Sequence, residues 1–124
     1  MKVLLIIGTG GFLGSVSRYL VQQFLHEKFD TSFPIGTMAV NIMGSFIIGA
    51  VYALSEKGGI LSPEWRLFLA VGLCGGFTTF SSLAFESLQM LRLEQFLYMS
   101  LYLTISLIGG LMATYLGVLS IKLL

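Results

Sequence analysis

Charge is what this chain has least of: Asp, Glu, Lys and Arg make up 10% of its 124 residues, against about 25% in an ordinary soluble domain. So little charge cannot coat a water-facing surface, which excludes a soluble globular protein. Lys and Arg never form a run and the net charge is +1. The clustered basic patch that a phosphate backbone requires is missing, so nucleic acid is excluded as a partner. The lone cysteine, Cys74, permits neither an internal disulfide nor a CxxC metal pair, and suits a small helix-packing position. The lone histidine, His26, sits in a loop with no His/Asp/Ser constellation in the apolar segments, a poor basis for an enzyme. Proline occurs twice, at Pro34 and Pro63, and both places suit helix beginnings.

What remains is apolar. Hydrophobic residues make up 56% and the mean hydropathy is +0.91. A bilayer core of roughly 30 Å needs about 20 apolar residues per helix. Four runs meet that length: Val3 to Leu25, Ile35 to Leu54, Leu67 to Leu91 and Phe96 to Ile121. Most of the charged residues fall between them: Glu27, Lys28 and Asp30, then Glu56, Lys57 and Glu64, then Arg92 and Glu94. The expected fold is therefore an all-α membrane protein, one domain over residues 1–124 with four transmembrane helices. A signal peptide, with Val3 to Gly14 as its apolar stretch and Ser15-Val16-Ser17 as its cleavage site, is a rival for the first run. The apolar pattern resumes beyond Arg18 as far as Leu25, which favours a retained helix. Glycine is frequent at fifteen copies, and Gly10-x3-Gly14 and Gly72-x3-Gly76 have the spacing that lets transmembrane helices approach closely.

Polar residues inside a membrane are expensive and are functional candidates for that reason. In the second run Thr37, Asn41 and Ser45 recur every four residues, within about 80° of one helical face. Asn41 either bonds between helices or offers an amide donor to an anion. In the fourth run Tyr102, Ser106 and Gly110 share that spacing, with Thr114 about 120° round from Tyr102. A line of hydroxyl donors free of Lys and Arg suits an anion that must be held and then released. The alternative is that such hydroxyls bond back to carbonyls of their own helix. The third run is expected to break in mid-membrane at Gly75-Gly76-Phe77-Thr78-Thr79-Phe80-Ser81. Its glycines favour opening and its hydroxyls can satisfy freed backbone groups. Freed carbonyls there suit a cation, whereas hydroxyls and aromatic edges suit an anion. A simple kink is the alternative. Two charges remain within the runs. Arg18 either snorkels to the headgroups or lends a vestibule positive potential, and Glu86 needs a partner or a water-filled pocket.

These residues resemble a known family, the small bacterial fluoride channels called CrcB or Fluc. The resemblance rests on Gly11-x2-Gly14-x3-Arg18-Tyr19, on Gly36-Thr37-x2-Val40-Asn41-x2-Gly44, and on Gly72-x-Cys74-Gly75-Gly76-x-Thr78-Thr79-Phe80-Ser81. It covers nearly the whole chain. It implies an antiparallel, dual-topology homodimer in the bacterial inner membrane, with two fluoride pores and one structural sodium ion on the two-fold axis. The sodium would be held by the backbone carbonyls of Gly75 and Thr78 from each subunit. The fluoride path would use the Asn41 amide, the Phe80 ring edge, the Ser81 and Thr114 hydroxyls and the Tyr102–Ser106 track, with Arg18 at a vestibule. Glu86 matches a family position as well. One departure is that the second phenylalanine usual after the break is replaced by Leu83, which has no quadrupolar edge and is not assigned a fluoride contact. The activity implied is passive fluoride exit, which relieves fluoride toxicity and needs no nucleotide motif.

A small multidrug-exporter-like proton antiporter is the rival of another class. It would carry a glutamate in the first helix, where this chain has Arg18, the wrong sign for a cationic drug. Topology also bears on the choice, because orientation follows the Lys/Arg balance of the loops. The side with both termini holds Lys2, Lys57, Arg66 and Lys122; the other holds Lys28 and Arg92, with Arg18 near it. So small a bias leads to the expectation that the chain inserts both ways and pairs in opposed orientations. Adding three lysines to one loop should then abolish activity in a reconstituted flux assay, and unchanged activity would refute two-way insertion.

Overall fold

The structure is a computed structural model that describes all 124 residues, and each apolar run is helical. Helix α1 is Lys2–Lys28, α2 is Ile35–Glu56 and α6 is Phe96–Lys122. The third span is composite: α3 (Pro63–Arg66), a π-helical stretch (Leu67–Cys74), α4 (Gly75–Phe77) and α5 (Phe80–Arg92). All four spans are long and apolar enough to cross a membrane. Each helix outruns its apolar segment by up to four residues. Hydrogen bonding continues into the polar headgroup zone, where Glu56, Lys28 and Lys122 are good helix formers.

Local chemistry sets the ends. Pro63 occupies the first turn of α3, and Ser62 Oγ accepts from the Trp65 N–H at 3.2 Å. Gly58 and Gly59 turn the chain between α2 and α3 at φ +67° and +75°, a left-handed conformation that a side chain would strain.

The break in the third span is shorter than the seven residues expected. Gly75 and Gly76 stay helical, and only Thr78 (φ −92°, ψ 158°) and Thr79 (φ −151°, ψ 118°) leave the helix. Phe80 and Ser81 already belong to α5. Gly76 is used for packing, since a Cβ there would lie 2.6 Å from Gly11 O, whereas one on Gly75 would meet only Ala70 O at 3.9 Å.

Two helix pairs organise the molecule. One is α1 with the first half of the third span, the other α2 with α6. Both are glycine crossings. A Cβ on Gly10 would meet Phe68 O at 2.5 Å, and one on Gly14 would overlap Leu73 O. In the second pair, Gly49 faces Thr114 O and Gly117 faces Phe46 O with the same lack of room. Beyond the break α5 packs mainly against α6. Only 17 of 124 residues are buried, so the interior is thin and large apolar side chains such as Phe12, Phe46 and Leu107 face outward. Lipid tails satisfy them, because helix association in a bilayer depends on close packing rather than on burying apolar area.

Leu at Gly14 or Gly117 should therefore separate the paired helices and lower stability by roughly 1–3 kcal/mol or more, read as a lower thermal midpoint in detergent. Gly8 meets nothing within 4 Å, and Gly8→Leu should leave that midpoint unchanged.

Candidate functional site

The break is held from α2. Asn41 Nδ2 donates to Thr79 O at 3.0 Å while Asn41 Oδ1 accepts from the Thr79 N–H at 2.7 Å. One side chain thus pairs with both backbone groups of an extended residue, as a neighbouring strand would. The second Nδ2 hydrogen stays uncommitted. On the other flank, Arg18 Nε donates to Gly76 O at 2.9 Å. Thr79 Oγ1 caps α5 by accepting from the Ser82 N–H at 3.1 Å, and Thr78 Oγ1 returns to Cys74 O at 2.8 Å.

These bonds release two carbonyls. In a continuous helix Gly75 O would accept from the Thr79 N–H, which Asn41 takes; Thr78 O would accept from the Ser82 N–H, which Thr79 Oγ1 takes. No cluster of three His, Cys, Asp or Glu side chains exists to hold a metal. A cation here would depend on main-chain oxygens, as unwound helices provide for sodium. Gly75 and Thr78 fit that donor set.

A cavity of about 370 Å³ lies against the break, and its lining includes Asn41, Ser45, Thr79, Phe80 and Leu83 but no charged residue. Phe80 is 79% exposed, and Ser81, whose Oγ is 3.2 Å from Thr79 Oγ1, is exposed too. Ser45 itself bonds back to Asn41 O at 2.7 Å.

Glu86 lies apart from this cavity at the centre of a second group. Its Oε2 accepts from Thr37 Oγ1 and its Oε1 from the Tyr102 hydroxyl, both at 3.0 Å. Gln22 Nε2 in turn donates to Thr37 Oγ1 at 3.1 Å. Each of the four spans gives one member. Phe33 from the α1–α2 loop covers Tyr102 edge-on, with ring centroids 5.7 Å apart. Glu86 has both a partner and a cleft, which it lines together with Gln22 and Thr37.

The α6 stripe turns toward α2. Tyr102 is wholly buried. Ser106 Oγ is buried without a hydrogen-bond partner, a position that costs about 1–3 kcal/mol. Gly110 faces Ser45, and Thr114 Oγ1 donates to Gly110 O at 3.0 Å within its own helix. The structure thus brings Asn41, Phe80, Gly75 and Thr78 to one place and Glu86 with Tyr102 to another. Neither Ser106 nor Thr114 lines the cavity at the break. Gln22, Thr79 and Phe33 were not singled out as site residues in the sequence. An amide within an otherwise apolar run, Val21-Gln22-Gln23-Phe24, was the available signal for Gln22.

The family model for CrcB-like protein, Camphor Resistance (CrcB), matches residues 5–118. The chain is similar to a protein of Chlorobaculum tepidum named fluoride-specific ion channel FluC, 49% identical over 99% of this chain and 97% of that one. Relatives of the same name occur in Chlorobium chlorochromatii, 48% identical over 96% and 92% of the two chains, and in Leptospira interrogans, 42% identical over 98% and 95%.

If Asn41 holds the break, Asn41→Ala should leave both Thr79 groups unpaired at a cost of about 1–3 kcal/mol. Hydrogen exchange should find the Thr79 amide protected in the parent and open in the variant. Equal protection in both would refute the clamp.

Proposed function

The chain belongs to the CrcB-like protein family, and we propose that it is a fluoride-selective ion channel in the bacterial plasma membrane. It lets cytoplasmic fluoride leave passively and so limits fluoride toxicity. The observation that carries this reading is the uncharged, donor-bearing cavity at the mid-span break, with Asn41, Ser45 and the exposed Phe80 on its wall. A dehydrating anion needs donors strong enough to replace water and weak enough to release it. The spare Asn41 amide hydrogen, the Ser81 hydroxyl and the electropositive edge of Phe80 are such groups. An inside-negative potential drives the anion outward at about 2.3 kcal/mol per 100 mV. No fuel is consumed.

We further propose that the working unit is an antiparallel homodimer of identical chains inserted in both orientations. The weak Lys/Arg bias, the thin interior and the outward-facing Phe80 and Ser81 support it. A second copy over the break would complete each path. Ser106 extends the path along α6, its unpartnered Oγ the donor most ready for an anion; the Tyr102 and Thr114 hydroxyls, whose protons are given to Glu86 and to Gly110 O, would serve it only by turning from those partners. Glu86 lies at the far end of that line, and Arg18 gives its region positive potential while bracing Gly76.

One sodium ion on the dimer axis, held by the Gly75 and Thr78 carbonyls of both chains, completes the proposal. The ion would supply positive charge that fixes these oxygens. The chain's own part is to free them by engaging the Thr79 and Ser82 amides elsewhere.

Purified protein in liposomes should pass fluoride and retain chloride under an imposed potential, read with ion-selective electrodes. Chloride efflux as fast as fluoride efflux would refute the selectivity. Asn41→Asp should abolish fluoride efflux, because it sets a carboxylate in the path and loses the bond to Thr79 O; normal efflux would remove Asn41 from the path.

A further inference from the structure

A carboxylate beside an anion path is electrostatically misplaced unless something neutralises it. The cleft at the Glu86 end has a volume of about 350 Å³. Its lining includes Glu86, Thr37 and Gln22 and the aromatic residues Tyr19, Phe29 and Phe33. No Lys or Arg lines it. The basic residues nearest in sequence are engaged elsewhere: Arg18 holds Gly76 O, Arg92 reaches Gln89 at 3.4 Å, and the Lys28 ammonium lies 5.8 Å from the centre of the Phe24 ring. The other titratable groups in the lining are His26 and Tyr19.

Acceptor capacity is left over. Each Glu86 oxygen accepts one bond, whereas an ionised carboxylate has roughly four acceptor sites. Gln22 commits its Nε2 to Thr37 and keeps its amide oxygen. A single carboxylate, an amide oxygen and three aromatic rings suit a weakly hydrated cation better than a metal ion. Hard metal ions require several oxygens, whereas aromatic faces attract ammonium and guanidinium groups. Guanidinium is also the more weakly hydrated of the two and carries planar N–H donors that match a carboxylate.

We propose that this cleft binds one small organic cation bearing N–H donors, of the guanidinium or primary-ammonium class. Glu86 is its counter-charge, and the rings of Tyr19, Phe29 and Phe33 are its walls. Bound there, the cation covers Thr37 and Glu86 and slows fluoride leaving by that end, an effect that rests on the channel reading although the binding does not.

Calorimetric titration of the full-length protein in detergent tests the binding, with methylguanidinium chloride as the probe and methylurea as its neutral isostere. Methylguanidinium should saturate one site per chain, while methylurea and sodium chloride should give no binding heat. Glu86→Gln should weaken binding at least roughly tenfold, the scale of a lost charge-assisted hydrogen bond. Phe29→Ala, in the loop, should weaken it roughly threefold while leaving the thermal midpoint unchanged. If Glu86→Gln does not fold, Phe29→Ala decides alone. Equal heats for methylurea, displacement by sodium at equal concentration, or parent-like binding in the folded variants would overturn the proposal. In liposomes, methylguanidinium should slow fluoride efflux saturably. Absence of any fluoride efflux would defeat the channel reading while leaving the calorimetric site intact.

Discussion

The two-bond pairing between the Asn41 amide and the Thr79 backbone is the interaction on which the arrangement depends. A span that leaves helical geometry in a membrane exposes backbone donors and acceptors that have no water to turn to. Asn41 satisfies one of each from a single side chain. That pairing permits two extended residues between α4 and α5, and so lets α5 part from α1 and approach α6. It also determines which carbonyls are released. Arg18 on Gly76 O and the Thr79 cap on Ser82 extend the same logic on either side. The break is therefore a satisfied structure rather than a loose one.

Glycine makes this geometry compact. The crossings of α1 with the third span and of α2 with α6 bring backbone against backbone, leaving few interior side chains to tune. Specificity must then come from a small number of polar contacts. The structure has two such sets, the clamp at the break and the Gln22–Thr37–Glu86–Tyr102 line. The α6 stripe joins the second set through Tyr102, and its Ser106 hydroxyl is left without a partner.

Much of this was legible in the sequence because hydropathy and helical period survive any tertiary detail. The four runs, the two prolines at helix starts and the shared face of Thr37, Asn41 and Ser45 follow from length and spacing alone. The extent of the break did not. Gly75-Gly76 signals both an opening and a close crossing, and only the position of Gly11 in α1 decides for the crossing. The π-helical stretch Leu67–Cys74 carries no composition of its own. Likewise, Asn41 was readable as a costly polar residue, while its partner was hidden, because Thr79 takes part through its backbone, which every residue type shares. Gln22 was obscured by its place near a helix end, where a polar residue is ordinary.

The Glu86 line has one member in each span, and this orders the protein's birth as well as its fold. Gln22, Thr37 and Glu86 leave the ribosome before Tyr102, which follows Glu86 by sixteen positions. Until α6 arrives, the carboxylate lacks one of its two hydroxyl donors, and the incomplete chain leaves it more exposed than the finished one does.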